Sequence, residues 1–239
     1  MMAMVSRFGG QIMLKARFLE RENRFTALVE LEGKQVRAHV ANSGRLRELL
    51  RPENEVYLLE RNEPHRVTKY DLALVNYNGQ LVSVDARVPN KVVAAAVSAG
   101  QLADFSQFTL ARSEVRYGNS RLDLLLEDER SNRCFVEVKS VTLVENGIAM
   151  FPDAPTQRGA RHLEELTAAV REGYQAAIIF LIQRDDAILF TPNDRTDPDF
   201  GQKLRAAGGS GVGVYAYRCR VTPEVIVITE KVPVKLSGI

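Results

Sequence analysis

Three side chains in the second half of the chain have the types and spacing for phosphodiester chemistry: Asp123, Glu137 and Lys139. Glu137 and Lys139 stand two apart in the strand-like run Cys134-Phe135-Val136-Glu137-Val138-Lys139. They therefore project from one face, while Val136 and Val138 enter the opposite layer. Asp123 sits among leucines in Arg121-Leu122-Asp123-Leu124-Leu125-Leu126. A carboxylate there is costly to bury unless it is paired, protonated or bound to a metal. Two converging carboxylates beside a lysine suit a hard divalent cation, Mg²⁺ or Mn²⁺, which takes oxygen ligands and keeps several waters. Asp123, one Glu137 oxygen and the Val138 carbonyl are the expected ligands. Such a cation polarises a phosphate and acidifies a water. Lys139 would orient that water or offset charge in the transition state. The plainer alternative is a polar strand face carrying an ordinary Glu–Lys pair. The register of the two strands decides whether Asp123 meets Glu137.

The rest of the chain gives a second tier of candidates. Glu32-Gly33-Lys34 repeats the Glu-x-Lys triplet but reads as a hairpin turn, and Pro152-Asp153 has no partner triplet at suitable spacing. Within a helix expected over residues 155–172, Leu163, Leu166 and Val170 form a core face. Arg158, His162 and Glu165 share a neighbouring face that could approach the site or simply meet solvent, as Arg161 and Glu164 should. Asp153 or Thr156 is expected to cap that helix, with packing and capping the reading for Asp153. The histidines His39, His65 and His162 have no zinc-like spacing. Cys134 and Cys219 lie in apolar strands and read as inert buried thiols.

Positioning these groups takes two kinds of architecture. Alternation marks strands over residues 25–31, 35–40, 55–60, 71–77 and 80–85, with Asn78-Gly79 as a hairpin signal. Asn42-Ser43-Gly44-Arg45-Leu46 opens a short helix or helical turn. Five short strands with one such insertion fit a small closed barrel of the oligonucleotide-binding kind. After Val88-Pro89-Asn90 the pattern changes. A helix apolar nearly all round is expected over 91–100, then strands over 109–117, 121–127 and 133–143. The amphipathic helix follows, then a continuous apolar strand over 176–183, a helical stretch over 203–207, and strands over 214–220 and 225–229. That order gives helices packed on a mixed sheet.

Composition sets bounds. Of 32 basic residues 24 are arginine, whose planar fork suits phosphate, although base composition alone also yields arginine. Residues 1–88 carry a net +3 and residues 89–239 a net −1, a weak lean toward phosphate on the N-terminal side. No apolar run approaches the ~20 residues that cross a bilayer, and the opening residues lack a signal-peptide pattern. Cytoplasmic residence is expected.

The Asp-x13-Glu-x-Lys arrangement resembles the signature of the PD-(D/E)xK nuclease superfamily. Over nearly its whole length the chain resembles the sugar fermentation stimulation protein A family. The resemblance rests on Arg21-Glu22-Asn23-Arg24-Phe25, His39-Val40-Ala41-Asn42-Ser43-Gly44-Arg45-Leu46, Val88-Pro89-Asn90, Arg121-Leu122-Asp123, Val136-Glu137-Val138-Lys139-Ser140-Val141-Thr142-Leu143, Phe151-Pro152-Asp153-Ala154 and Thr156-Gln157-Arg158-Gly159-Ala160-Arg161-His162-Leu163. It implies an N-terminal OB-like β-barrel over residues 1–86 and a PD-(D/E)xK nuclease-like mixed-sheet α/β domain over 87–239. It also implies DNA binding, with a suggested regulatory link to sugar metabolism.

Two departures stand out. Ala41-Asn42-Ser43-Gly44 replaces the family's Pro-Asn-Thr-Gly, and Lys91–Val97 carries no glutamate where relatives often place one. Two carboxylates remain rather than three, which weakens efficient cleavage more than metal binding. The expectation is a DNA-binding protein with a divalent-metal nuclease-like site, its binding largely independent of sequence and steeply salt-dependent. The alternative is an active Mg²⁺-dependent DNA nuclease. A sugar-modifying enzyme has no paired-carboxylate constellation behind it. The candidate phosphate contacts are Arg21, Arg24 and Arg45 in the barrel and Arg158 with His162 near the cleft, surface ion-pairing being the alternative for each arginine.

Overall fold

In the computed structural model, which describes residues 6–7 and 12–237, the first half is a five-stranded barrel. Its strands are β2 (Met13–Asn23), β3 (Thr26–Leu31), β4 (Lys34–His39), β5 (Glu55–Glu60) and β6 (Tyr70–Tyr77), and β7 (Gln80–Ser83) extends it. β1 (Ser6–Arg7) precedes the barrel in sequence but pairs antiparallel with the last strand of the other sheet. A parallel contact of β4 with β6, Ala38 opposite Tyr70 and His39 opposite Asp71, closes the barrel. Its interior follows from alternation: Ala27, Val29 and Leu31 point inward while Thr26, Leu28 and Glu30 point out. Of the two forms expected for the insertion, a short helix or a helical turn, the structure has the turn. The Leu49 and Leu50 amides close on the Leu46 carbonyl at 3.1 and 2.9 Å, which seats Leu46 and Leu49 as a plug in the barrel core.

The second half begins with α1 (Val88–Ser98), three residues earlier than the periodicity predicts, because Pro89 fits a helix's first turn. Then come β8 (Phe108–Tyr117), β9 (Ser120–Asp128), β10 (Arg133–Val141), β11 (Val144–Glu145), β12 (Ile148–Phe151), α2 (Gln157–Arg171), β13 (Gln175–Ile182), β14 (Leu189–Pro192), α3 (Pro198–Gly209), β15 (Gly213–Val221) and β16 (Val225–Val232). Seven strands form a mixed sheet in the order β1-β16-β15-β13-β10-β9-β8, with β10, β13 and β15 parallel. β13 is central, and its run Ala-Ala-Ile-Ile-Phe-Leu-Ile is buried on both faces. α1 packs on one face with Val136, Val138 and Ile179, whereas α2 and α3 pack on the other with Phe180 and Phe190.

Residues 145–155 contain a hairpin. Asn146 and Gly147 both take positive φ, 51° and 78°, as its tight turn requires. β12 then pairs in parallel with β14 to make a separate three-stranded sheet. Its far end delivers Phe151–Thr156 to the junction of barrel and sheet.

Candidate metal and phosphate site

The β9–β10 ladder runs from Glu127 opposite Arg133 to Leu124 opposite Val136, so its next step would set Asp123 against Glu137. The ladder stops there. The Val138 amide donates at 2.8 Å to Asp123 Oδ2, so a side-chain carboxylate takes the place of a strand carbonyl and the two strands part. The other Asp123 oxygen accepts from Asn90 Nδ2 at 2.6 Å, across from α1. Regular alternation also breaks at this point, since Leu122 and Leu124 pack in different cores. Opposite Asp123 on β8, Glu114 takes a φ of 55°, a left-handed conformation uncommon outside glycine. This local irregularity turns Asp123 toward the gap between β9 and β10.

Glu137 faces the layer of α2. Its Oε1 accepts from Lys139 Nζ at 2.5 Å and from His162 Nδ1. Arg158 Nε donates to His162 Nε2 at 3.4 Å, which assigns the imidazole proton to Nδ1. Glu137 Oε2 is buried and has no hydrogen-bond partner among the described residues. The two carboxylates have opposite electrostatics. Burial first, and then the charge of Glu137, push Asp123 up to about 6. Burial also acts to raise Glu137, but Lys139 and His162 outweigh it and hold that carboxyl below its usual range. Such divergence within one site is a recurrent mark of chemistry.

Both carboxylates open into a cleft of about 850 Å³ between barrel and sheet, lined by Asn42–Gly44, Arg24 and Arg87 on one side and by Asn90, Lys139 and Arg158 on the other. Asp153 crosses this junction. Its Oδ2 accepts from the Leu46 amide at 3.2 Å, and a Cβ on Gly44 would collide with that oxygen. Asp153 is therefore a strut between the two halves rather than a helix cap. The cap of α2 is Thr156, whose Oγ1 accepts from the Gly159 amide at 3.0 Å.

The phosphate candidates divide. Arg158 lies exposed on the cleft wall, and His162 is buried against Glu137. Glu165 turns away and accepts from the Asn119 amide at 3.1 Å. In the barrel, Arg21 spends its guanidinium on the carbonyls of Arg24, Asn42, Gly44 and Arg45 at 2.6–3.0 Å, which shapes the 42–45 loop and leaves little for an anion. Arg24 donates to the Ser43 carbonyl at 3.1 Å yet remains exposed at the cleft. Arg45 is exposed and shares a shallower depression with Arg47. Asn90 and Arg87 are site residues to which sequence reasoning gave no role. Both flank the Val88-Pro89 step, and their partners arrive only through tertiary folding.

Among the described residues no three His, Cys, Asp or Glu side chains gather as a metal cluster. Two carboxylates, one with an unpartnered buried oxygen, still fit Mg²⁺, which commonly takes one or two protein carboxylates and fills the rest with water and substrate phosphate.

Two family models match the chain: an SfsA N-terminal OB domain over residues 19–84 and a sugar fermentation stimulation protein RE domain over residues 87–225. The chain belongs to the sugar fermentation stimulation protein family. Among its relatives, the homolog from Moorella thermoacetica is 49% identical over 225 residues, covering 94% of this chain and 97% of its own. The homolog from Desulforamulus reducens is 46% identical, covering 94% and 93%. A solved structure, Pyrococcus furiosus SfsA in complex with Ca²⁺, superposes with a TM-score of 0.89 at 29% identity, covering 98% of this chain and 99% of that one. In this member of the family the first turn of α1 carries no acidic residue, so Asn90 holds Asp123 without adding a third carboxylate.

Proposed function

We propose that the cleft is a divalent-metal, phosphodiester-type site that takes DNA, with Asp123 and Glu137 as protein ligands. The observation that carries this reading is the unpartnered, buried Glu137 Oε2 beside an aspartate whose charge no lysine or arginine neutralises directly. The bound Ca²⁺ of the Pyrococcus furiosus relative supports a hard-cation site in this fold. When bound, a cation here supplies Lewis acidity to a phosphate oxygen. The chain's own groups do the remaining work. His162 and Lys139 fix the Glu137 carboxylate through Oε1, which leaves Oε2 free for the cation. Lys139 carries the positive charge nearest the position where phosphate charge would build. Arg24 and Arg158 flank the cleft as candidate contacts to the phosphate backbone, so binding should be largely independent of sequence and fall with salt. Any regulatory link to sugar metabolism would act through this binding.

The test has two stages. Calorimetry with Ca²⁺ or Mn²⁺ should show one site in the wild type and none in Asp123→Ala. Wild-type protein that binds no divalent cation would sink the reading. Single- and double-stranded DNA incubated with Mg²⁺ or Mn²⁺ then asks for turnover. Lys139 pairs with the Glu137 carboxylate at 2.5 Å. Turnover would show as metal-dependent cleavage that is lost in Lys139→Ala. DNA binding without any cleavage would leave a binding protein.

A further inference from the structure

Arg87 is held by an unusual number of contacts for a half-exposed arginine. Its Nε donates to both oxygens of Asp85 at 2.9 and 3.1 Å, and Nη2 donates to Asp85 at 2.6 Å and to Asp71 at 2.8 Å. Its backbone amide adds a fifth bond, to Asp85 Oδ1 at 2.9 Å. Arg61 and Arg66 also donate to Asp71, so Arg87 is one of three guanidiniums that share it. With all these bonds made, Nη1 has no acceptor among the described residues, and Arg87 lines the cleft. A guanidinium locked on one edge and open on the other presents a fixed two-donor arm, with its rotamer entropy already spent.

Position gives that arm its target. Arg87 is the N-cap of α1 and stands three residues before Asn90, the side chain that holds Asp123. Residues so spaced on a helix have Cβ atoms about 5–6 Å apart. Resting on the reading of the cleft as a nucleic-acid site, we propose that Arg87 Nη1 grips the phosphate adjacent to the one at Asp123 and Glu137. The cleft then requires a polynucleotide strand with two successive phosphates, and a mononucleotide meets only half of it.

The experiment titrates a short fluorescent single-stranded oligothymidylate with wild type, Arg87→Ala and Arg87→Lys in Ca²⁺ over a range of KCl concentrations. Ca²⁺ affinity is measured in parallel by calorimetry. Ca²⁺ binding should stay within about twofold in both variants, since neither change touches a ligand. Arg87→Ala should weaken strand binding about tenfold. It should also reduce the log–log salt slope by about 0.7, the value for one fewer phosphate neutralised on a single strand. Arg87→Lys separates gripping from scaffolding and serves if the alanine variant misfolds. Its single ammonium can satisfy Asp85 but has no second arm, so its slope should fall by the same amount. A wild-type slope in both variants, or full rescue by lysine, overturns the proposal. Wild type that binds Ca²⁺ but no oligonucleotide would instead remove the nucleic-acid reading beneath it.

Discussion

Two aspartates, one at the end of the barrel and one at the cleft, meet burial in opposite ways. Asp71 is 1% exposed, and Arg61, Arg66 and Arg87 converge on it. Burial acts to raise its pKa, but hydrogen bonds from Arg87 and Arg61 hold it below the usual range. Among the described residues Asp123 receives only neutral donors, Asn90 and the Val138 amide, and is pushed up to about 6. The first charge is answered within the chain. The second is left to neutral donors, the feature on which the proposed metal site rests.

Substitutions should separate the two aspartates, and the largest effect is expected in the barrel. Asp71→Asn should cost about 3–5 kcal/mol in urea denaturation, because three guanidiniums lose their shared buried partner. Its Ca²⁺ affinity should be unchanged. Asp123→Asn should do the reverse. The amide removes an ill-solvated charge but offers one acceptor to two donors, Asn90 Nδ2 and the Val138 amide, so the metal-free variant should gain about 2 kcal/mol at neutral pH while losing divalent-metal binding. If Asp123→Asn is instead the unstable variant, the contrast fails.

The pH dependence follows with opposite signs. The lowered Asp71 contributes stability that is present above the unfolded pKa and lost as acid protonates the native group. The raised Asp123 favours the native state below the unfolded pKa, and that contribution is lost as pH rises through about 6. Wild type minus Asp123→Asn, measured without metal, should therefore fall between about pH 4 and 7. Ca²⁺ affinity should rise over the same interval by up to tenfold per pH unit, because the ligand must shed one proton. The smallest expected effect is Gly44→Ala, which presses a methyl group on the Asp153 strut. A loss of about 1–3 kcal/mol is expected from overpacking, with Ca²⁺ affinity unaltered.

Much of this was legible where one periodicity dominated. The strand at residues 55–60 was placed to the residue, and the unbroken apolar run of β13 marked it as central. Glu137 and Lys139 could be set on one face from spacing alone. Other elements were hidden for physical reasons. β2 carries Lys15, Arg17, Glu20 and Arg21 on its outer edge, which dilutes the inward Ala16 and Phe18. α3 starts at Pro198 behind an Asp197 cap whose Oδ1 accepts from the Phe200 amide at 3.1 Å, but its glycines masked all except residues 203–207. Arg87 was invisible because its meaning depends on Asp71, a barrel residue 16 positions away. Arg21 misled for the complementary reason: an arginine in a family motif suggests an anion, and here it binds carbonyls.

The hydrogen bond between the Val138 amide and Asp123 makes one peptide group a witness to the site. Protonation of Asp123 weakens that acceptor, and a cation sharing the carboxylate would redistribute its charge, so either event would alter the shielding and solvent exchange of a single amide proton inside β10, where its ladder with β9 has ended. Selective ¹⁵N labelling of valine would let this amide report occupancy directly, with no substrate and no turnover. The place where the β9–β10 ladder gives way would then serve as the protein's own spectroscopic gauge of charge.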